Sequence, residues 1–146
     1  MKQITTANTV VENILEIAWH FSSRGINGAC CADLSLAEFR ALQTTAITPN
    51  CSVQHIGNIL DFTKSGATRI VNRLEKQQLV TKIRSAADAR VCCIAPTPAG
   101  LELLQDSMQC TSDRLEQALR KVTPSERDDI SKSLNLLAST LISLDK

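Results

Sequence analysis

Apolar positions recur at helical spacing along most of the chain. Val11, Ile14, Leu15, Ala18 and Phe21 share one face of a first helix, and the pattern stops at Gly25 and Gly28. Ser35, with Glu38 three residues on, reads as a capping box that opens a second helix, burying Leu36, Phe39 and Leu42 until Pro49. A short third helix is predicted over 52–60, with Val53, Ile56 and Leu60 inward. A fourth begins near Thr63 and buries Ala67, Ile70, Val71 and Leu74.

The texture then changes. Leu79, Val80 and Ile83, followed by the apolar run 91–94, flank a polar stretch at 84–90 and read as two short strands joined by a loop. Pro96, Pro98 and Gly100 open a long helix whose Leu101, Leu104, Met108, Leu115, Leu119 and Val122 keep a near-heptad stripe. In the last helix Thr123 caps, Pro124 takes the first helical position and Glu126 completes a capping box. Its Ile130, Leu134, Leu137, Leu141 and Leu144 alternate steps of four and three, the spacing of a helix-pairing seam. This seam, with a second apolar stripe on the first helix, exceeds what one small core absorbs, so a homodimer interface is expected. Packing of the two termini on each other in a monomer is the alternative.

A length of 146 residues fits one domain. No apolar stretch approaches the ~20 residues of a bilayer span, which argues against a membrane partner. With no Tyr, one Trp and three Phe, the chain lacks the rings that stack single-stranded nucleic acid. The net charge of +1 excludes a diffuse polyanion binder, but the charge is unevenly spread. Residues 62–91 hold seven basic side chains, Lys64, Arg69, Arg73, Lys76, Lys82, Arg84 and Arg90, against Glu75 and Asp88, a local +5 that leaves −4 elsewhere. A basic patch on one helix and one hairpin of an acidic body is the footprint of a duplex-DNA reader. A solvated charged face is the plainer alternative.

The arrangement favours DNA. Helices at 52–60 and 63–77, separated by a tight turn at Asp61 and Phe62, have the lengths of a helix-turn-helix. The buried set on the second turns Ser65, Thr68, Arg69, Asn72 and Arg73 outward, groups that contact phosphates and base edges in a major groove. The hairpin presents Arg84 and Arg90 at or near its tip, within reach of a minor groove.

The run S-G-A-T-R-I-V-N-R-L-E-K-Q-Q-L-V, followed by Asp88-Ala89-Arg90 and then A-P-T-P-A-G, resembles the winged-helix signature of the multiple-antibiotic-resistance regulator (MarR) family. The resemblance implies a mainly α fold: a winged helix-turn-helix with N- and C-terminal dimerisation helices and a two-stranded wing hairpin. It implies a single domain over 1–146, with a DNA-binding lobe at about 34–97 and a helical dimerisation lobe at about 1–30 and 98–146. It also implies a homodimer on a pseudo-palindromic operator, usually a repressor released by a small molecule, an oxidant or a metal. Position by position, Lys64, Ser65, Gly66, Thr68 and Arg69 fall on the contacting start of the recognition helix, and Arg73 on an arginine facing the backbone. Lys82 and Arg84 belong to the wing, Arg90 to its minor-groove arginine and Asp88 to the carboxylate that orients it. The family's glycine at the end of the recognition helix is Gln78 here, at a position that often needs positive φ. Gly57 and Pro96 also depart from the pattern, with no functional account from sequence.

Six cysteines remain, with no C-x-x-C pair, which disfavours a zinc ribbon or a thioredoxin-type site. The N-terminus is polar and Thr-rich, so a cytoplasmic, reducing setting with free thiols is expected. In the architecture that the resemblance implies, Cys51 lies near Cys92 or Cys93, and strand alternation lets one of those two share its face. Thiolates there suit a soft ion such as arsenite, Hg(II), Cd(II) or Cu(I), or close a disulfide. Cys30, Cys31 and Cys110 form a second candidate cluster, and buried cysteines acting as small hydrophobes are the alternative. His20 reads as a packed residue and His55 as a surface one. No obligatory cofactor is implied, and no Ser/His/Asp grouping or phosphate-binding loop supports an enzyme. The rival readings are the same fold regulated by an organic ligand in an interdomain pocket, and a DNA-independent interaction or metal-buffering protein.

Overall fold

The computed structural model describes residues 6–21, 34–84 and 92–144. In order these form α1 (Thr6–Phe21), α2 (Leu36–Ile47), α3 (Val53–Leu60), α4 (Lys64–Lys76), β1 (Val80–Arg84), β2 (Cys92–Pro96), α5 (Pro98–Leu119) and α6 (Pro124–Leu144). The fold is mainly helical with one antiparallel hairpin, registered from Val80 opposite Pro96 to Arg84 opposite Cys92. The chain divides into two compact units, Met1–Cys110 and Thr111–Lys146.

In the first unit the core gathers Leu34, Ala41, Leu42, Cys51, Ile56, Ala67, Ile70, Val71, Leu74, Leu79, Val80, Ile94 and Leu104. Full burial of each large aliphatic contributes roughly 1.5–3 kcal/mol, so α4 is seated mainly by its apolar stripe. On α2 the inward face runs through Glu38, Ala41, Leu42, Thr44 and Thr45, and Leu36, expected inside, is 82% exposed. Leu36 opens the first turn beyond the Ser35 cap, while Leu34, just before the cap, takes the buried place.

Caps fix the helix ends. Ser35 and Glu38 form the expected capping box on α2, and Ser52 Oγ and Thr63 Oγ1 accept the third amide of α3 and α4. Such caps contribute about 1 kcal/mol each. Asp61 ends α3 with φ 52°, and the Phe62 N–H donates to the Gly57 carbonyl at 2.9 Å. A side chain at Gly57 would meet the Phe62 carbonyl oxygen at 3.1 Å and the Ala67 Cβ at 3.4 Å, so this glycine sets how closely α3 crosses α4.

α4 closes in a Schellman motif: Leu79 N–H donates to Leu74 O and Gln78 N–H to Glu75 O, both at 2.9 Å. Gln78 takes the left-handed position, φ 61°, as its place in the sequence predicts. The T-P-A-G segment then docks on this turn. The Thr97 hydroxyl donates to Gln78 O at 2.6 Å and accepts from Gly100 N–H at 3.0 Å, while Thr97 N–H donates to Leu79 O. A Cβ on Gly100 would stand 2.1 Å from the Leu79 carbonyl oxygen, so only glycine fits.

In the second unit the Thr123 and Glu126 side chains form the expected capping box. Arg127 donates to the carbonyls of Leu119 and Val122 and lies 3.5 Å from Glu116, tying the start of α6 to the end of α5.

Candidate nucleic-acid interface

The outer face of α4 is built by what its inner face buries. With Ala67, Ile70, Val71 and Leu74 inside, Lys64, Ser65, Arg69, Asn72 and Arg73 are exposed and Gly66 and Thr68 half-buried. The Thr68 hydroxyl donates to the Lys64 carbonyl at 2.8 Å, so it offers an oxygen acceptor and a methyl outward rather than a free donor. The first turn of α4 also carries the positive end of the helix dipole, a setting that favours phosphate.

Two carboxylates hold basic residues of this face. Glu38 on α2 lies 3.6 Å from an Arg73 guanidinium nitrogen, its own side chain 8% exposed and that of Arg73 69% exposed. Burial pushes the Glu38 carboxyl up, but bonds from the Ser35 hydroxyl and amide together with Arg73 outweigh it and hold the group below its ordinary value. Glu38 was legible from sequence only as a cap; its link to Arg73 joins residues far apart in the chain. On β1, the Lys82 ammonium donates to Glu75 at 2.6 Å and to Asn72 Oδ1 at 2.9 Å. That cation therefore latches the wing strand to the recognition helix as well as adding charge to the face. Thr81, Lys82, Ile83 and Arg84 are all exposed, and Arg84 stands opposite Cys92 at the described end of the hairpin. Asp88 and Arg90 lie outside the described residues.

Of the cysteines, the structure brings Cys51 and Cys93 together. Both are buried and free, joined through an antiparallel bridge of Ser52 with Cys93 and a 2.7 Å hydrogen bond from Ile94 N–H to Cys51 O. Burial, and then the neighbouring Cys93, push the Cys51 thiol up. Cys92 is free and exposed on the other face of the strand, as alternation requires. Cys110 is disulfide-bonded, which corrects the expectation of free thiols throughout; sequence spacing does not say which cysteines meet in space. Cys30 and Cys31 lie outside the described residues. Among the described residues no three His, Cys, Asp or Glu groups converge to hold a metal ion. His20 corrects a second expectation: it is exposed on α1, 3.1 Å from Glu16. His55 is half-buried on α3.

A sequence model of the MarR family matches residues 32–91. Over nearly the whole chain, the fold matches a MarR family protein from Bacillus stearothermophilus with a TM-score of 0.80 at 20% identity, covering 94% of this chain and 96% of that one. The fold is therefore MarR-like, and within it the stretch from the start of α2 to the wing matches the family in sequence. The MarR fold also matches Streptococcus pneumoniae FabT in a complex with DNA, with a TM-score of 0.71, 20% identity and 94% of each chain covered. Sulfolobus solfataricus BldR, a transcriptional regulator, matches at a TM-score of 0.67 and 25% identity over 96% of this chain and 99% of its own. A Thauera aromatica protein named for transcriptional regulation of the hcr operon is 30% identical over 80 residues, 55% of this chain and 43% of that protein, so the match spans under half of the relative. No described helix is long and apolar enough to cross a membrane.

Proposed function

We propose that this chain is a transcriptional repressor of the MarR family that binds a pseudo-palindromic duplex as a homodimer, with α4 in the major groove and the hairpin along the minor groove. The observation that carries this reading is the outer face of α4. There Lys64, Ser65, Arg69 and Arg73 stand exposed on a helix whose opposite face is fully committed to the core. The DNA complex of FabT, a protein of the same fold, supports it.

The homodimer rests on apolar surface that each terminal helix leaves uncovered. Val11, Leu15, Ile17 and Trp19 on α1 are 46–64% exposed, and Leu134, Leu141 and Leu144 on α6 are 48–75% exposed. Stripes of this extent on two helices are covered by a second copy of the chain.

Release is assigned to a thiol-directed signal at Cys51 and Cys93, either an oxidant or a soft ion such as Cu(I). The pair joins the segment that starts α3 to the wing strand β2, so a disulfide or an ion between the two sulfurs acts on both elements at once. Regulation by an organic ligand is the second reading. It has an open depression of about 340 Å³ lined by Gln77, Leu79, Ala99, Glu102, Leu103 and Asp106 to occupy.

Selection from random duplexes under reducing conditions tests the reading. The expected product is an inverted repeat with half-sites about one helical turn apart. Peroxide or Cu(I) is expected to weaken binding by the native chain and to leave a Cys51→Ser, Cys93→Ser double variant unaffected. Release of that variant to the same degree overturns the thiol assignment, and the absence of duplex selection overturns the DNA reading.

A further inference from the structure

We propose that Phe62 is a specificity-determining residue that reads the C5 methyl group of a thymine in the major groove. This rests on the DNA-binding reading above and deepens it.

Phe62 sits immediately before Thr63, the cap of α4, and is 44% exposed. Its position is fixed on both sides, by its own N–H bonded to Gly57 O at 2.9 Å and by the capped first turn that follows. The side chain lies over Gly66: a Cβ placed there would be 3.5 Å from Phe62 Cβ and 3.6 Å from Cδ2. Gly66, Arg69 and Arg73 follow one another along a single face of α4, so the ring continues that stripe one turn beyond the helix start. Without a side chain, Gly66 leaves the ring room beside the first turn of α4.

The rest of the face is polar: Lys64, Ser65, Arg69, Asn72 and Arg73 carry groups of the kind that bond to phosphates and base heteroatoms. A phenyl group does neither. The apolar group that the major groove displays is the thymine methyl, against which Phe is a suitable contact. Burying the ring on it recovers the cost of holding an aromatic group half in water, and it distinguishes thymine from the other bases where a phosphate contact cannot.

The test replaces each thymine of the selected half-site in turn by deoxyuridine, which removes that methyl and nothing else. For the native chain, one thymine per half-site is expected to lose about fourfold in affinity on replacement, the worth of one buried methyl. Phe62→Ala is expected to bind the thymine duplex more weakly and to show no further loss with deoxyuridine at that position. Phe62→Leu keeps an apolar group against Gly66 and is expected to retain part of the discrimination. Thermal unfolding checks that both variants fold, and Phe62→Leu carries the comparison if Phe62→Ala does not. Indifference of the native chain to every replacement overturns the proposal while leaving the DNA reading intact. So does a response of the variants equal to that of the native chain. Failure to bind any duplex overturns both.

Discussion

At the scale of single residues, Gln78 and Gly100 meet the same turn with opposite fitness. Gln78 holds φ 61°, where a Cβ crowds the backbone and glycine enters freely. The Schellman closure of α4 demands that conformation. Gln78→Gly is therefore expected to stabilise the fold by about 0.5–1 kcal/mol in urea unfolding, less any gain in unfolded-chain entropy. A destabilised variant would contradict this account of the turn. The strain at 78 was legible in the sequence, because a glycine is missing where the helix has to stop. The need for Gly100 was not. The atom that a Cβ would strike there is the Leu79 carbonyl oxygen, brought close only when the hairpin returns the chain to the end of α4.

At the scale of elements, the positions of helices and strands follow from caps and apolar spacing, while the links between elements do not. The Ser35 and Glu38 pair announces the start of α2, yet the same carboxylate also steadies Arg73 on α4. Likewise, strand alternation limits the partner of Cys51 to one of two neighbours, and only packing selects Cys93. Lys82 read as one more cation of the patch, and its latch to Glu75 and Asn72 emerges when β1 lies beside α4.

The Glu38 joint has a pH signature. Its folded pKa is depressed, so the stability it contributes is present above the ordinary glutamate value near 4.5 and is lost as pH falls from there through the folded value. The native chain is thus expected to melt above Glu38→Gln at pH 7, with the gap closing as pH falls below the ordinary glutamate value. A gap independent of pH would assign the role of Glu38 to packing alone.

At the scale of the whole molecule, a net charge of +1 conceals a basic segment of +5 on an acidic remainder, and the structure places the described part of that segment on α4 and β1. The apolar stripes of α1 and α6 are the other feature of this scale. They were legible as surplus seams because heptad spacing outlasts what a core needs, and the exposure of Leu15, Trp19 and Leu141 agrees with that surplus.

The central claim is that the exposed face of α4 neutralises and reads duplex DNA. Its most direct test is the salt dependence of affinity for the selected duplex, compared between the native chain and Arg69→Ala. The account predicts a linear fall of log affinity with log salt, whose slope shrinks by about 2 for the dimer when one phosphate contact per protomer is removed. An unchanged slope in the folded variant would contradict it.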